Sequence, residues 1–316
     1  MVDQRARERA RRVRAKKRQL RRQRIVVFGG LAILLIALIW LISLFIGMVK
    51  GGSGKSEKRA GETGSGKENP SFSTQAPESH PNTATGQTEP ETETDIGSTL
   101  TPEEKMQIIQ TSPEYPEELV EFAGKYAEVI DYVYYYPQRK DERPVIDLSA
   151  EAASGKIPLL IQWDRRWGYL HYGDAFVGDA GCGPTCLSMA AIYITKNPNI
   201  TPYVVADYSY THQYRVAGSG TSWTLISEGC EAFGMKAEML PLDENTMKMR
   251  LDAGLPIIVS LGPGDFTRAG HYIVLTGYDK DGFTINDPNS PNNSAKHWTY
   301  ERLSGQILNL WAMSAK

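Results

Sequence analysis

Cysteine is scarce in this 316-residue chain, which has only Cys182, Cys186 and Cys230. So small and odd a set argues against a disulfide framework as what holds the protein together, and in an oxidising compartment it leaves at least one thiol over for chemistry. Net charge is also nearly absent, at -2, so the overall composition gives no sign of nucleic-acid binding. From Ile25 to Val49 charge is missing altogether, in the run IVVFGGLAILLIALIWLISLFIGMV. Between Gly51 and Ser98 aromatic residues are missing except for Phe72, and the stretch is rich in Gly, Ser, Thr, Pro and Glu. No internal repeat is present.

The near-zero net charge conceals segregation. Between Arg5 and Arg24 the chain carries about a dozen Lys and Arg, against Asp3 and Glu8 near the N-terminus. The uncharged run behind this arm would span roughly 37 Å as a helix, more than the roughly 30 Å hydrocarbon core, so a tilted transmembrane helix fits. A cleaved signal peptide fits less well, because the apolar run is too long and no small-x-small site follows it before Lys50. The positive-inside rule puts the arm in the cytoplasm and everything after Lys50 outside. The aromatic-poor stretch cannot bury enough apolar surface to offset ordering and reads as a disordered stalk. The expected organisation is a basic cytoplasmic arm (1–24), a transmembrane helix (25–49), an extracellular stalk (50–100), a small helical segment (101–150) and a catalytic domain (151–316).

Thr101-Pro-Glu-Glu is a helix start, with Pro at a first-turn position and carboxylates at the positive end of the dipole. A second start lies at Ser112-Pro113-Glu114-Tyr115-Pro116-Glu117-Glu118. The spacing of Leu119, Phe122, Tyr126, Val129, Ile130 and Val133 predicts one amphipathic helix ending by Pro137. The last 160 or so residues suffice to bury roughly 70% of their unfolded surface. They read as helix around Thr185–Thr195, then as strands over Pro256–Leu261, Tyr272–Tyr278, Phe283–Asp287 and Ile307–Trp311. Helices first and an antiparallel sheet after predict an α+β fold.

Gly181-Cys182-Gly183-Pro184-Thr185-Cys186 opens an apolar helix. Pro184 suits a first turn, so Cys182 falls at the positive helix end, where unsatisfied amides favour a thiolate. From this segment alone a buried structural thiol fits equally well. Gly181 and Gly183 are expected to leave room for a substrate backbone. Two Cys separated by three residues, with no second ligand cluster, make a weak zinc signal, and Cys186 and Cys230 fit core packing better. A thiol nucleophile needs a base. His271 opens a strand, Gly270-His271-Tyr272-Ile273-Val274, where a rigid sheet edge can hold it. His80 lies in the stalk, while His171, His212 and His297 lack such a frame and read as surface or structural.

That strand turns through Asp279-Lys280-Asp281-Gly282 into a second strand stopped by Pro288, with Asp287 at its end. A carboxylate there could hold the imidazole in its working tautomer, with Asn286 as the alternative. An ideal hairpin leaves Asp287 short of His271, so contact requires a bend or bulge. Asp279 and Asp281 lack the later ligands of a calcium loop and read as turn residues. Gln162, read bare, is one polar residue after a strand; beside a nucleophile, its amide could stabilise an oxyanion. No cofactor or metal is expected.

Taken in order, Gln162, Gly-Cys182-Gly-Pro, Gly-His271-Tyr and Asn-Asp287-Pro resemble the peptidase C-thirty-nine-like family, papain-superfamily relatives of the bacteriocin-processing leader peptidases. The resemblance implies a papain-like fold with Cys182 as nucleophile, His271 as base, Asp287 as orienter and Gln162 as oxyanion donor. In bacteriocin-processing members the Gln lies a few residues before the Cys and an Asp directly precedes it. Here about twenty residues intervene and Gly181 precedes the Cys, which argues against leader peptides as the substrate class. The expected activity is hydrolysis of a peptide or protein near the outer membrane face. An acyl transfer to an amine and a non-catalytic binding module on a decayed fold are the alternatives. The expected partners are that substrate and membrane lipid, without nucleic acid.

Overall fold

The computed structural model describes residues 99–218 and 220–316. The expected basic arm, the transmembrane helix and all but the last two residues of the stalk lie outside the described residues. Among the described residues no helix is long and apolar enough to cross a membrane. These residues belong to one unit, Ile96–Lys316.

Helix α1, Pro102–Thr111, starts where Thr-Pro-Glu-Glu predicts. The Thr101 hydroxyl accepts from the Glu104 amide and the Glu104 carboxylate accepts from the Thr101 amide, so each side chain satisfies a backbone donor that the helix leaves open. The single helix expected through Val133 is instead broken. Helix α2 covers Glu117–Lys125, Tyr126 is extended (φ -131°, ψ 116°), Ala127–Val129 forms a 3-10 turn, and α3 covers Ile130–Tyr134. Tertiary bonding competes with helix continuation here, because the Glu128 carboxylate accepts from Ser290 and Asn292, more than 160 residues away. The apolar face survives the break: Leu119, Phe122, Val129, Ile130 and Val133 are all buried.

These helices share a core with the chain after residue 160, through Tyr169 and Phe176. The rings of Tyr132 and Tyr169 stack at 4.5 Å. Each hydroxyl also finds a carbonyl: Tyr132 donates to Gly168 at 2.7 Å, and Tyr169 donates to Tyr132 at 2.8 Å. A buried tyrosine needs such a partner, so the stack is fixed in register as well as packed.

Helix α4, Cys182–Thr195, is buried from Gly183 to Ile192, which accounts for an apolar sequence with no polar face. Helix α5 is Pro202–Thr211 and α6 is Glu244–Asp252. The sheet strands are β1, Met235–Met239; β2, Ile257–Leu261; β3, His271–Asp279; β4, Gly282–Asn286; and β5, Ile307–Ala315. Their order is β1-β5-β2-β3-β4, antiparallel throughout. Alternation along the strands builds two cores. Ile258, Tyr272, Val274, Trp311 and Met313 pack with α4, while Ile257, Val259, Ile273, Leu275, Leu310 and Ala312 pack with Met247 of α6. The central strand β2 is therefore buried throughout.

Sequence periodicity did not single out β1, α5 or α6, and β5 runs four residues beyond the expected Trp311. In β1, Lys236, Glu238 and Met239 are not buried, so its apolar alternation is weak.

A shared core predicts shared unfolding. Leu119→Ala should destabilise the whole unit by about 2–5 kcal/mol, in one transition common to far-UV circular dichroism and tryptophan fluorescence. Two separate transitions would show that the leading helices fold on their own.

Candidate active site

Cys182 is the first residue of α4, half-buried, with Gly181 as the N-cap. The thiol thus meets the unpaired amides and the positive dipole end of a 14-residue helix. The glycines flanking it serve the chain's own packing, a correction to the expected substrate clearance. A Cβ on Gly181 would collide with the Val177 carbonyl, and one on Gly183 would come within 2.9 Å of the Thr221 side chain. Thr221 is itself held: the Tyr272 hydroxyl donates to its carbonyl at 3.1 Å, and the Tyr172 and Thr221 hydroxyls lie 2.9 Å apart. Thr221 and these two tyrosines thus lie beside the start of α4.

His271 opens β3 opposite Leu261 of β2. The β3–β4 hairpin is not ideal. Gly277 pairs with Thr284, yet Leu275 pairs with Ile285, so Thr276 is an extra residue in β3. Beyond this bulge Val274 faces Asn286. The next step of that register sets Asp287 opposite Ile273, on the side of the strand that His271 shares. Without the bulge Asp287 would oppose Val274 and point to the other side. The Thr276 and Thr284 hydroxyls lie 3.0 Å apart at the bulge.

The result is a buried pair. His271 Nε2 lies 2.7 Å from Asp287 Oδ1, with the side chains 7% and 1% exposed. Asp287 Oδ1 also accepts from the Asn289 amide at 2.9 Å, and Oδ2 accepts from Asn293 Nδ2 at 2.8 Å. Asn286 does not take the orienting place. Its Nδ2 donates to the carbonyls of Ile157 and Pro158, which ties the entry of the domain to the sheet.

The loop that carries Asp287 is pinned from several directions. The Gln162 amide donates to the Pro288 carbonyl at 2.7 Å, and Trp163 Nε1 donates to the Asn289 carbonyl at 3.0 Å. Trp298 Nε1 donates to the Asn293 carbonyl at 3.0 Å. Gln162 is 2% exposed, and its Nε2 donates to the Gly178 carbonyl at 2.8 Å, four residues before Cys182. An amide nitrogen carries two hydrogens, so one remains beyond that bond.

Electrostatics sort the titratable groups. Burial lowers the His271 pKa, but the charge and hydrogen bond of Asp287 outweigh it and contact with Cys182 adds to them, so the value rises from 6.5 to about 10. Burial pushes the Cys186 thiol well up, with the Cys182 and Asp287 charges adding to it; burial likewise takes Cys230 to about 11. Both are therefore neutral, packed thiols. The other imidazoles among the described residues are occupied elsewhere: His171 stacks on Phe176, His212 stacks on Tyr208, and His297 pairs with Asp279 at 2.8 Å. Asp279 also accepts from the Asp281 amide, as a turn residue does. Trp167 is fully buried, whereas Trp223 is 45% exposed.

Sequence reading missed Glu128, Asn289, Ser290 and Asn293, the residues that hold the loop. The one local signal is Ser290-Pro291, a helix start: the Ser290 hydroxyl accepts from the Asn293 amide at 3.1 Å. For Glu128 no sequence signal exists, because its partners are far away in the chain.

A raised imidazole pKa has a direction that can be measured. Since the folded value exceeds 6.5, the pair's contribution to stability is complete below about pH 6.5 and is lost as pH rises toward about 10. Asp287→Asn should lower the His271 titration midpoint by more than Cys182→Ala does, read by NMR of the imidazole proton. Equal falls, or the reverse order, would show that the carboxylate is not the main source of the rise.

Comparison with curated proteins gives no match. Among solved structures, the chain resembles the peptidase domain of Streptococcus ComA, a bi-functional ABC transporter involved in a quorum sensing pathway. Identity is 22%, coverage is 43% of this chain and 93% of that one, and the TM-score is 0.34. It also resembles a C39-like peptidase from Bacillus anthracis at 18% identity, covering 54% of this chain and 98% of that one, with a TM-score of 0.32. Likeness at these levels does not transfer function. A family profile matches residues 155–316, just over half of the chain and the region that holds Cys182, His271 and Asp287, and by that match the chain belongs to the Peptidase_C39 like family.

Proposed function

We propose that this protein is a membrane-anchored, extracytoplasmic cysteine peptidase that hydrolyses peptide bonds through Cys182, His271 and Asp287. The observation that carries the reading is the buried His271–Asp287 pair, whose imidazole also meets a thiol on the first residue of a long helix. With Nε2 committed to the carboxylate, Nδ1 is left for the sulfur. Proton transfer from thiol to imidazole gives a thiolate–imidazolium couple, which the helix end and Asp287 both stabilise.

In this reading the Cys182 sulfur attacks the scissile carbonyl carbon and the carbonyl pair moves onto oxygen. That oxyanion is met by the Cys182 backbone amide and by the remaining Nε2 hydrogen of Gln162. Collapse breaks the carbon–nitrogen bond, and the leaving amine takes the proton from His271 Nδ1. Water then attacks the thioester with His271 as base, releasing the acid and the thiol. Membership of a peptidase family supports the substrate class, and the uncharged run at 25–49 behind a basic arm supports the anchor.

A peptide electrophile directed at thiols should label Cys182 in the wild type and in Cys186→Ser but not in Cys182→Ala. His271→Ala should lower peptide turnover by about 10²–10⁴-fold. Labelling lost equally in folded Cys186→Ser would overturn the assignment of the nucleophile. Product masses with and without an added amine distinguish hydrolysis from acyl transfer. Folded protein that neither labels nor turns over peptides would be a binding module.

The anchor carries its own expectation. A flexible stalk of about fifty residues has a root-mean-square span of roughly 35–42 Å, which holds the site near the outer leaflet. Removal of residues 1–50 should leave cleavage of a small synthetic peptide unchanged while reducing cleavage of membrane-associated proteins in cells at matched amounts. Undiminished cleavage of those proteins would show that the anchor does not select substrates.

A further inference from the structure

We propose that Glu128, in the helical segment ahead of the family-matched region, is a positioning residue of this site: it latches the loop that holds Asp287 and so sets the His271–Asp287 geometry. The inference rests on the proposed Cys182–His271–Asp287 chemistry and adds a residue outside it. The family match covers residues 155–316, and the segment in which Glu128 lies is outside it.

Both Glu128 carboxylate oxygens are used. Oε2 accepts from the Ser290 hydroxyl at 2.6 Å, and Oε1 accepts from the Asn292 amide at 3.1 Å. The bonds continue inward. Ser290 Oγ accepts from the Asn293 amide, Asn293 Nδ2 donates to Asp287 Oδ2, and Asp287 Oδ1 accepts from His271 Nε2. Three hydrogen-bonded residues, Ser290, Asn293 and Asp287, thus separate Glu128 from the imidazole, and hydrogen bonds to an ionised acceptor are the short, strong kind.

The placement of Glu128 has a visible conformational origin. Helix α2 stops at Lys125, and the turn at Ala127–Val129 turns the chain before α3 begins. A continuous helix would satisfy local propensity but would lose both tertiary bonds. The same turn carries Tyr126 into the site. Burial raises the pKa of its phenol, and the nearby charges of Asp287 and Cys182 raise it further, while a hydrogen bond with Thr267 and the charge of Arg268 oppose the rise. The leading segment therefore reaches the site from two positions, Glu128 on the Asp287 loop and Tyr126 on the loop that precedes His271.

The test reads the couple directly and needs no substrate. In the full chain in detergent, the rate at which iodoacetamide alkylates Cys182 is followed against pH by mass spectrometry. Near the pair, Tyr126, Tyr172, Tyr272 and Cys186 have raised values and so are neutral from pH 5 to 8, and Arg268 contributes a charge beside Tyr126. Asp179, three residues before Cys182, is raised by burial to about 6, so variants are compared with wild type at the same pH. Wild-type Cys182 should be alkylated faster at pH 6 than the thiol of an unstructured peptide. Glu128→Ala should cut the rate at pH 6 about tenfold and leave the rate at pH 10, where any accessible thiol is ionised, within about twofold of wild type. Glu128→Gln, which keeps one acceptor oxygen, should fall between the two. A Glu128→Ala, Ser290→Ala pair should fall by less than the two single losses combined, since the Glu128–Ser290 bond is common to both.

Each other outcome has a definite meaning. Wild-type Cys182 reacting no faster at pH 6 than the peptide thiol would sink the underlying catalytic reading. A low-pH thiolate that persists in folded Glu128→Ala would overturn the latch alone, and so would equal losses at pH 6 and pH 10, which would mark a change of access. Should Glu128→Ala fail to fold, Glu128→Gln and Ser290→Ala decide by the same comparison of the two rates.

Discussion

Burying a carboxylate is costly unless its oxygens are met by donors and a counter-charge, and Asp287 is almost wholly buried. Much of the architecture around the site can be read as meeting that requirement. One oxygen is shared by His271 and the Asn289 amide, and the other takes Asn293. The loop that carries those partners is fastened to Glu128, to the consecutive Gln162 and Trp163, and to Trp298 just beyond it. Removing one member of such a buried pair typically costs about 3–5 kcal/mol, so the pair is a demand on the fold whatever chemistry it serves.

The same economy of placement explains why two thiols one helical turn apart differ. Cys182 sits half-buried at the start of α4, next to an imidazole, whereas Cys186 is fully enclosed in the core between that helix and the sheet. Burial alone makes the second thiol a hydrophobic side chain. Helix α4 itself is held in place by packing, because its apolar surface is covered on nearly every side. A rigid helix and a rigid strand therefore deliver sulfur and imidazole from opposite layers, which suits the acyl-transfer reading proposed for them.

The leading helices belong to this arrangement physically. Tyr132 and Tyr169 lock them to the chain around residues 168–176, and Glu128 carries the contact on to the Asp287 loop. A segment that sits outside the family-matched residues thus shares a core with them and touches the site they contain.

The sequence by itself determined the elements whose information is local. Gly-Cys-Gly-Pro before an apolar run marks a helix start at Cys182, Thr-Pro-Glu-Glu marks the start of α1, and Asp279-Lys280-Asp281-Gly282 marks the β3–β4 turn. Two of the residues proposed to carry chemistry, Cys182 and His271, lie where such local patterns frame them. Only the tertiary structure decided what depended on distant partners. The choice of Asp287 over Asn286 hangs on one extra residue at Thr276, and a one-residue shift in a strand moves a side chain to the other side. The break after Lys125 was invisible because helical periodicity continues through it; Ser290 and Asn292, far along the chain, supply the hydrogen bonds that local propensity cannot register.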